Sequence, residues 1–234
     1  MALLAGASGL VGGYVLDSLL DAPDFSRVFA ITRRPLGREH PRLANRIVQF
    51  EKLETQLKGA RCDVAVCCLG TTLKQAGSEK AFRQVDHDVV LSFARAARAA
   101  QARRFVVVTS AAADPDSKNF YLRVKGEVEQ ALEGMGFPSL DILQPGPVLA
   151  WRTDTRALSL LATALMPIAN PFLTGNRVAW RGIPARTLAA AVLGATRSGR
   201  RGVYRYTWPS LLQLAESRPA RPAQFIPKSQ SGAK

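Results

Sequence analysis

Tyr121 and Lys125 stand four residues apart in NFYLRVKGEVEQAL, and Ser110 precedes the tyrosine by eleven residues. On a helix this spacing stacks the phenol and the ammonium one turn apart on a single face. A lysine charge beside a phenol favours the phenolate and lowers its pKa from about 10, giving an acid/base usable nearer neutrality. Ser110 closes the strand-like run Arg103–Thr109, where its hydroxyl can bond the same substrate oxygen. The chemistry within reach of these three side chains is proton transfer at a carbonyl or hydroxyl.

A second group of residues points to a nucleotide. Ala2–Ala5 is apolar without a period, as expected of a buried parallel strand. Gly6-Ala7-Ser8-Gly9-Leu10-Val11-Gly12 follows, and from Leu10 the apolar spacing turns helical. A strand, a glycine turn and a helix start make an anion site, because unpaired N–H groups and the helix dipole face one point. Gly6 allows the tight turn, Gly9 a close approach to a pyrophosphate, and Gly12 close packing of helix on strand. The next strand, Arg27–Thr32, ends in Arg33-Arg34-Pro35. Two arginines without a carboxylate there suit a 2′-phosphate and favour NADP over NAD. Asp63–Thr72 is a further strand that ends in Gly70, Thr71 and Thr72, where backbone can approach the adenosine side of a cofactor.

The elements that must carry these groups alternate. After a polar loop, Gly37–Asn45, the sequence predicts a third strand at Arg46–Phe50 and a helical turn over Glu51–Lys58. A long helix over Ser78–Ala100 carries apolar Phe82, Val85, Val89, Leu91 and Phe93. Ser117 is the expected N-cap of the Tyr121 helix, Lys118–Gly134. A strand at Leu140–Leu143 leads into Gln144-Pro145-Gly146-Pro147, which would shape a substrate pocket with Val148, Leu149 and Trp151. Helices over Thr155–Met166 and Ile183–Arg197 follow, the second with Pro184 near N1, then a strand at Val203–Tyr206. Alternation of this kind predicts an α/β fold with a doubly wound parallel sheet.

Bulk properties narrow the classes. The chain has 234 residues, 47% of them hydrophobic, enough for one sizeable core. No run of eighteen apolar residues predicts a membrane span, and the N-terminus reads directly as a strand rather than a signal peptide. Three cysteines, with Cys67 and Cys68 adjacent in an apolar run, predict reduced thiols, a cytoplasmic protein and no structural metal. Lys+Arg number 32 against 18 Asp+Glu, a net charge of +14. The arginines are scattered from Arg27 to Arg221 without one basic helix, which disfavours nucleic acid as a partner. The helices after the fourth and fifth strands offer a face for a homodimer.

Taken together, GASGLVG, Ser110 with Tyr121-x-x-x-Lys125, and the Pro145-Gly146 loop resemble the short-chain dehydrogenase/reductase superfamily. CCLGTTLKQAGSEKAFRQVDHDVV and FYLRVKGEVEQAL are similar to its atypical branch, the one that contains the Tat-interacting protein. The resemblance covers about residues 1–210. It implies a single Rossmann domain over 1–216 that binds NADP(H), with a small substrate-binding region at about 146–210 and a basic, Pro/Ser-containing tail at 217–234. By the same resemblance, Gly6, Ala7, Ser8, Gly9, Leu10, Val11 and Gly12 form the pyrophosphate loop. Arg33 or Arg34 meets the 2′-phosphate, and Leu69, Gly70 and Thr71 line the adenosine and ribose. Tyr121 is the proton donor, Lys125 lowers its pKa and holds the nicotinamide ribose, and Ser110 orients the carbonyl. Two positions depart from the pattern: Asp86 stands where related extended enzymes often have asparagine, and Gln144 where the substrate loop usually has arginine. The resemblance implies an NADPH-dependent oxidoreductase of a small carbonyl or quinone-like substrate. Its alternative is an NADP(H)-binding regulator that senses redox state without chemistry.

Overall fold

The computed structural model describes residues 1–149 and 175–217. The helix expected at Thr155–Met166, Trp151 and nearly all of the tail lie outside them. Short apolar runs in the middle of the sheet and more polar ones at its two edges become seven parallel strands: β1 (Ala2–Ala5), β2 (Val28–Thr32), β3 (Leu43–Ile47), β4 (Val64–Cys67), β5 (Arg104–Val108), β6 (Ser139–Leu143) and β9 (Gly202–Tyr206). They pair in the order β3-β2-β1-β4-β5-β6-β9. The order therefore reverses between β1 and β4, the place where open sheets of this kind hold ligands at the carboxyl ends of their strands. A separate two-stranded ribbon joins β7 (Val148–Leu149) to β8 (Ile183–Pro184).

Helices cover both faces. Helices α5 (Val89–Ala99) and α6 (Phe120–Glu133) place Phe93, Val128 and Leu132 against Leu3, Phe105 and Ile142. On the other face, α1 (Leu10–Asp21), α7 (Ala185–Thr196) and α8 (Trp208–Glu216) bring Leu16, Leu188 and Leu211 against Leu4, Val106 and Leu143. Among the described residues there are also three short helices: α2 (Leu53–Gln56) after β3, then α3 (Leu73–Ala76) and α4 (Glu79–Arg83) after β4. Residues 175–217 are thus built into the main domain: β9 extends the sheet beside β6, and Val192 of α7 shares a core with Val15 of α1.

Several boundaries differ from expectation, each for a local reason. The third strand runs over Leu43–Ile47, three residues early, because Asn45 reaches back to the end of β2 and sets the register Ala30↔Asn45. Asn119, not Ser117, caps α6 by accepting from the Leu122 N–H at 3.2 Å, while Ser117 accepts from the Asn119 N–H. Pro184 is the residue before α7, since its neighbour Ile183 pairs with Val148. The long helix over Ser78–Ala100 is interrupted by a π turn at Gln84–Asp88 between α4 and α5. A π turn carries an extra residue, which puts Phe82, Asp86, Val90 and Phe93 on the buried side.

At the amino end of the sheet a buried ion pair joins three strands and a helix. Arg104 on β5 donates to Asp141 on β6 at 2.5 Å and to the Ala195 carbonyl of α7 at 3.1 Å. Tyr206 on β9 donates to the other Asp141 oxygen at 2.8 Å, and Ser139 also donates to this carboxylate. Breaking a buried pair by removing one member strands the other charge. Asp141→Ala is expected to destabilise the fold by about 3–5 kcal/mol, lowering Tm by roughly 10 °C in a thermal melt.

Candidate functional site

The turn after β1 is built on two contacts between backbones. Gly6 has φ +90, and a Cβ on it would lie 2.5 Å from the Cys68 carbonyl carbon and oxygen. Only glycine lets the turn cross the end of β4 this closely. A Cβ on Gly12 would lie 2.0 Å from the Gly6 oxygen, so α1 rests directly on the turn. Gly9 is the N-cap of α1 and places no side chain over its first turn, which leaves the helix start open to an anion.

In front of this turn is a cleft of about 470 Å³. It brings together Gly6, Ser8, Gly9, Arg33, Leu69, Gly70 and Thr71 from the set predicted to bind cofactor. Ala7 and Gly12 are buried behind the turn, Leu10 and Val11 belong to the first turn of α1, and Arg34 is exposed on the outer side of its loop. Sequence reasoning missed Phe50, Gln84, Val85 and Val89, which also line the cleft. Val85 and Val89, read only as apolar positions of the long helix, are half-buried: Val89 packs against the core, and both also face the cleft. The Arg33-Arg34 loop is held from β3. Asn45 donates to Thr32 Oγ1 at 2.7 Å and accepts from the Leu36 N–H at 2.9 Å, while the Thr32 hydroxyl donates to the Arg34 carbonyl.

Helix α6 carries Tyr121 and Lys125. It lies hard against the loop after β5, where a Cβ on Gly126 would meet Asp114 and Pro115 backbone at 2.2 Å. Tyr121 packs its ring on Phe82 with centroids 5.6 Å apart. One turn on, Lys125 is buried, with Nζ 2.7 Å from Asp86 Oδ1. The other Asp86 oxygen accepts from the Thr71 N–H at 2.8 Å. Burial pulls the Lys125 ammonium down, but the Asp86 carboxylate, helped by Tyr121, more than reverses this, so the lysine is held above its ordinary range and stays charged. Ser110 is half-buried beyond β5 and donates to the Ala111 carbonyl at 3.2 Å.

Two neighbours of the site face inward. The Thr109 hydroxyl, next to Ser110 at the end of the β5 run, donates to buried Glu129 at 2.6 Å. The Gln144 amide donates to both Glu129 oxygens, at 3.0 and 2.9 Å. Burial pushes the Cys62 and Cys67 thiols up to about 12, so both are inert near neutral pH. Among the described residues no group of three His, Cys, Asp or Glu could hold a metal ion, and no helix is long and apolar enough to cross a membrane.

Comparison with known proteins agrees with this architecture. The HIM1 family model matches residues 43–170, more than half of the chain. Protein HTATIP2 of Rattus norvegicus is 39% identical over 163 residues, covering 68% of this chain and 67% of its own. Protein FMP52, mitochondrial, of Saccharomyces cerevisiae is 36% identical over 157 residues, covering 66% of this chain and 68% of its own. Among solved structures, MoeE5 in complex with UDP-glucose and NAD has a TM-score of 0.63 at 16% identity, over 88% of this chain and 75% of that one. The Bordetella bronchiseptica enzyme WbmH in complex with NAD+ has the same TM-score, identity and coverage. These two show the fold. The mitochondrial names of the FMP52 relatives overturn the expectation of a cytoplasmic protein. That expectation rested on reduced, buried thiols, which suit any reducing compartment and do not single out the cytosol. By family match and by identity to HTATIP2 and FMP52, the chain belongs to the HIM1 family, in the Tat-interacting-protein-like branch of the atypical short-chain dehydrogenases/reductases.

Proposed function

We propose that this chain is an NADPH-dependent oxidoreductase that reduces a small carbonyl or quinone-like compound. The observation that carries the reading is the continuity of the site. The cleft in front of the glycine turn reaches Gly70, and Lys125 lies directly beneath Gly70 on the helix that bears Tyr121. A dinucleotide fits the residues present: an uncapped helix start for the pyrophosphate, apolar Val85 and Val89 for the adenine, and Arg33 for a 2′-phosphate. MoeE5 and WbmH, which share the fold, were solved in complex with NAD, the same class of cofactor.

When bound, the reduced nicotinamide supplies a hydride to the substrate carbon. Tyr121 gives its phenol proton to the substrate oxygen as negative charge develops there. The Lys125 ammonium stabilises the phenol oxygen as that proton leaves. Ser110 turns its hydroxyl from the Ala111 carbonyl to the substrate oxygen and fixes its direction. The substrate itself would sit against the region at about 146–210, within the single domain 1–216.

A second reading, an NADP(H)-binding regulator without turnover, draws on Gln144. Its amide is committed to Glu129, so the loop position usually occupied by a substrate-facing arginine presents no cation.

One measurement tests the cofactor assignment that both readings share, and a second separates them. Calorimetric titration is expected to give NADPH binding at least tenfold tighter than NADH. Arg33→Ala should weaken NADPH about tenfold, the loss of one charge-assisted contact, and leave NADH nearly unchanged; equal affinities in the parent would remove the NADP assignment. In steady-state assays on a carbonyl and quinone panel, Tyr121→Phe should lower kcat by about 10²-fold or more with NADPH binding retained. Parent protein that binds NADPH but turns over nothing on the panel would favour the regulator.

A further inference from the structure

Among the described residues five large apolar side chains are exposed, and their places divide them. Ile47 and Val203 belong to the outermost strands, β3 and β9, and Met1 precedes β1 at the amino end of the sheet. Leu73 (41% exposed) and Trp180 (43% exposed) stand instead at the carboxyl edge, which holds the candidate site. Single exposed apolar residues are ordinary on a protein surface, but two that flank one site are not scattered. We propose that Leu73 and Trp180 are the two walls of the substrate seat, and that the seat takes an uncharged carbonyl borne on a flat apolar ring. The inference deepens the oxidoreductase reading by naming its substrate class, and it rests on that reading.

Strand order puts the walls on opposite sides of Ser110. Leu73 follows the exit of β4, Ser110 the exit of β5 and Gly146 the exit of β6, and these three strands are consecutive in the sheet. Gly146 carries Trp180 to the β6 exit: a Cβ there would lie 2.5 Å from the Arg181 carbonyl oxygen and 2.9 Å from the Trp180 carbonyl carbon. Neighbouring strands lie about 4.8 Å apart, so the backbones behind the two walls are roughly 10 Å apart. A gap of that size, narrowed by a leucine and a tryptophan, suits one flat ring. On α3, Leu73 lies one turn before Ala76, which lines the cleft, so Leu73 continues that lining. It does so toward Lys125, because the α3 start follows Thr71, whose N–H donates to Asp86, the partner of Lys125. Both walls are held from behind. Thr72 caps α3 by accepting from the Gln75 N–H at 3.2 Å. The Trp180 segment is fixed by the Ile183 N–H on the Pro147 carbonyl at 3.0 Å and by the Trp208 indole N–H on the Gly182 carbonyl at 3.3 Å. Apolar surface held this way needs little further ordering when a ligand covers it. The nearest cations are engaged, Arg181 over the Trp208 ring at 4.8 Å and Lys125 with Asp86, so the walls offer apolar contact rather than charge.

In such a seat the carbonyl carbon takes the hydride of NADPH and the carbonyl oxygen takes the Tyr121 proton. The products are the alcohol and NADP+, and solvent returns the proton to Tyr121. The test is kcat/KM with NADPH for acetone, acetophenone and 2-acetonaphthone, three neutral methyl ketones that differ in ring surface. The parent is expected to gain about tenfold at each step. Trp180→Ala and Leu73→Ala should each lower the acetonaphthone-to-acetone ratio about tenfold with NADPH affinity retained, and Trp180→Phe should restore most of it. Val203→Ala, which removes equally exposed apolar surface from β9, should leave the ratio as in the parent. A merely structural role would lower activity on all three ketones alike and leave the ratio in place. Equal kcat/KM for the three ketones in the parent, or a ratio unmoved in either alanine variant, would overturn the proposal. If the parent binds NADPH but turns over none of them, the oxidoreductase reading fails, and titration of the NADP+-loaded protein with 2-acetonaphthone decides the seat. Binding that weakens about tenfold in both alanine variants keeps it; no binding, or binding indifferent to either wall, removes it. If the parent does not bind NADPH, the cofactor reading falls and this inference falls with it.

Discussion

The ligand edge depends on a contact that tolerates no side chain. Gly6 crosses the end of β4, and Gly12 brings α1 down onto the Gly6 carbonyl, at distances where a Cβ would overlap backbone. Backbone cannot yield as a side-chain tip can, so these contacts set where the helix starts relative to the sheet. They also set where the strands part. β1 and β4 are neighbours whose chains leave in opposite directions across the sheet, and the opening between them becomes the cleft. The open helix start, the Arg33 loop and the Leu69–Thr71 segment meet there because the glycine crossing brings them together.

Charge is buried at both ends of the sheet, with different consequences. At the amino end, Arg104 and Asp141 exhaust each other along with Tyr206, Ser139 and the Ala195 carbonyl. Every polar group in that cluster has a partner inside the fold, which fits a role in registering β5, β6 and β9 with α7. At the carboxyl end, Asp86 meets Lys125 beneath a glycine, next to a tyrosine and a cleft. An ammonium has three donors, and one acceptor does not exhaust it. The first arrangement is closed, and the second lies beneath Gly70 at the cleft.

Much of this was legible in the sequence. The strands were, because a parallel sheet covered on both faces writes itself as short apolar runs such as ALLA and VAVC. So were the glycine turn and the Tyr121–Lys125 pair, since both depend on spacing within one element. Partners that come from separate elements were less readable. Asp86 sits in a π turn, and a helical period read through that turn does not show that the aspartate faces inward to Lys125 while Val85 and Val89 reach the cleft. Asn45 looked like loop, yet its side chain is what aligns β3 with β2 and shapes the Arg33 turn. The Ser117 cap failed for a similar reason, as Asn119 competes for the same helix start two residues later.

Gln144 shows how a departure from a family pattern can be absorbed by the fold. Glu129 is buried on α6 and needs compensation; it receives the Thr109 hydroxyl, the Gln144 amide and, at 3.2 Å, Arg205 from β9. Arg205 also pairs with Glu133 one turn further along α6. The positive charge near this edge thus arrives from β9 and is taken up by two carboxylates, while the loop entering β7 begins with a neutral residue turned inward. An arginine at 144 would add a second cation where Arg205 already serves Glu129. Among the described residues that line the cleft, Arg33 is the cation, at the end away from Tyr121. The acid/base end has its own cation, Lys125, but that ammonium is buried and paired with Asp86.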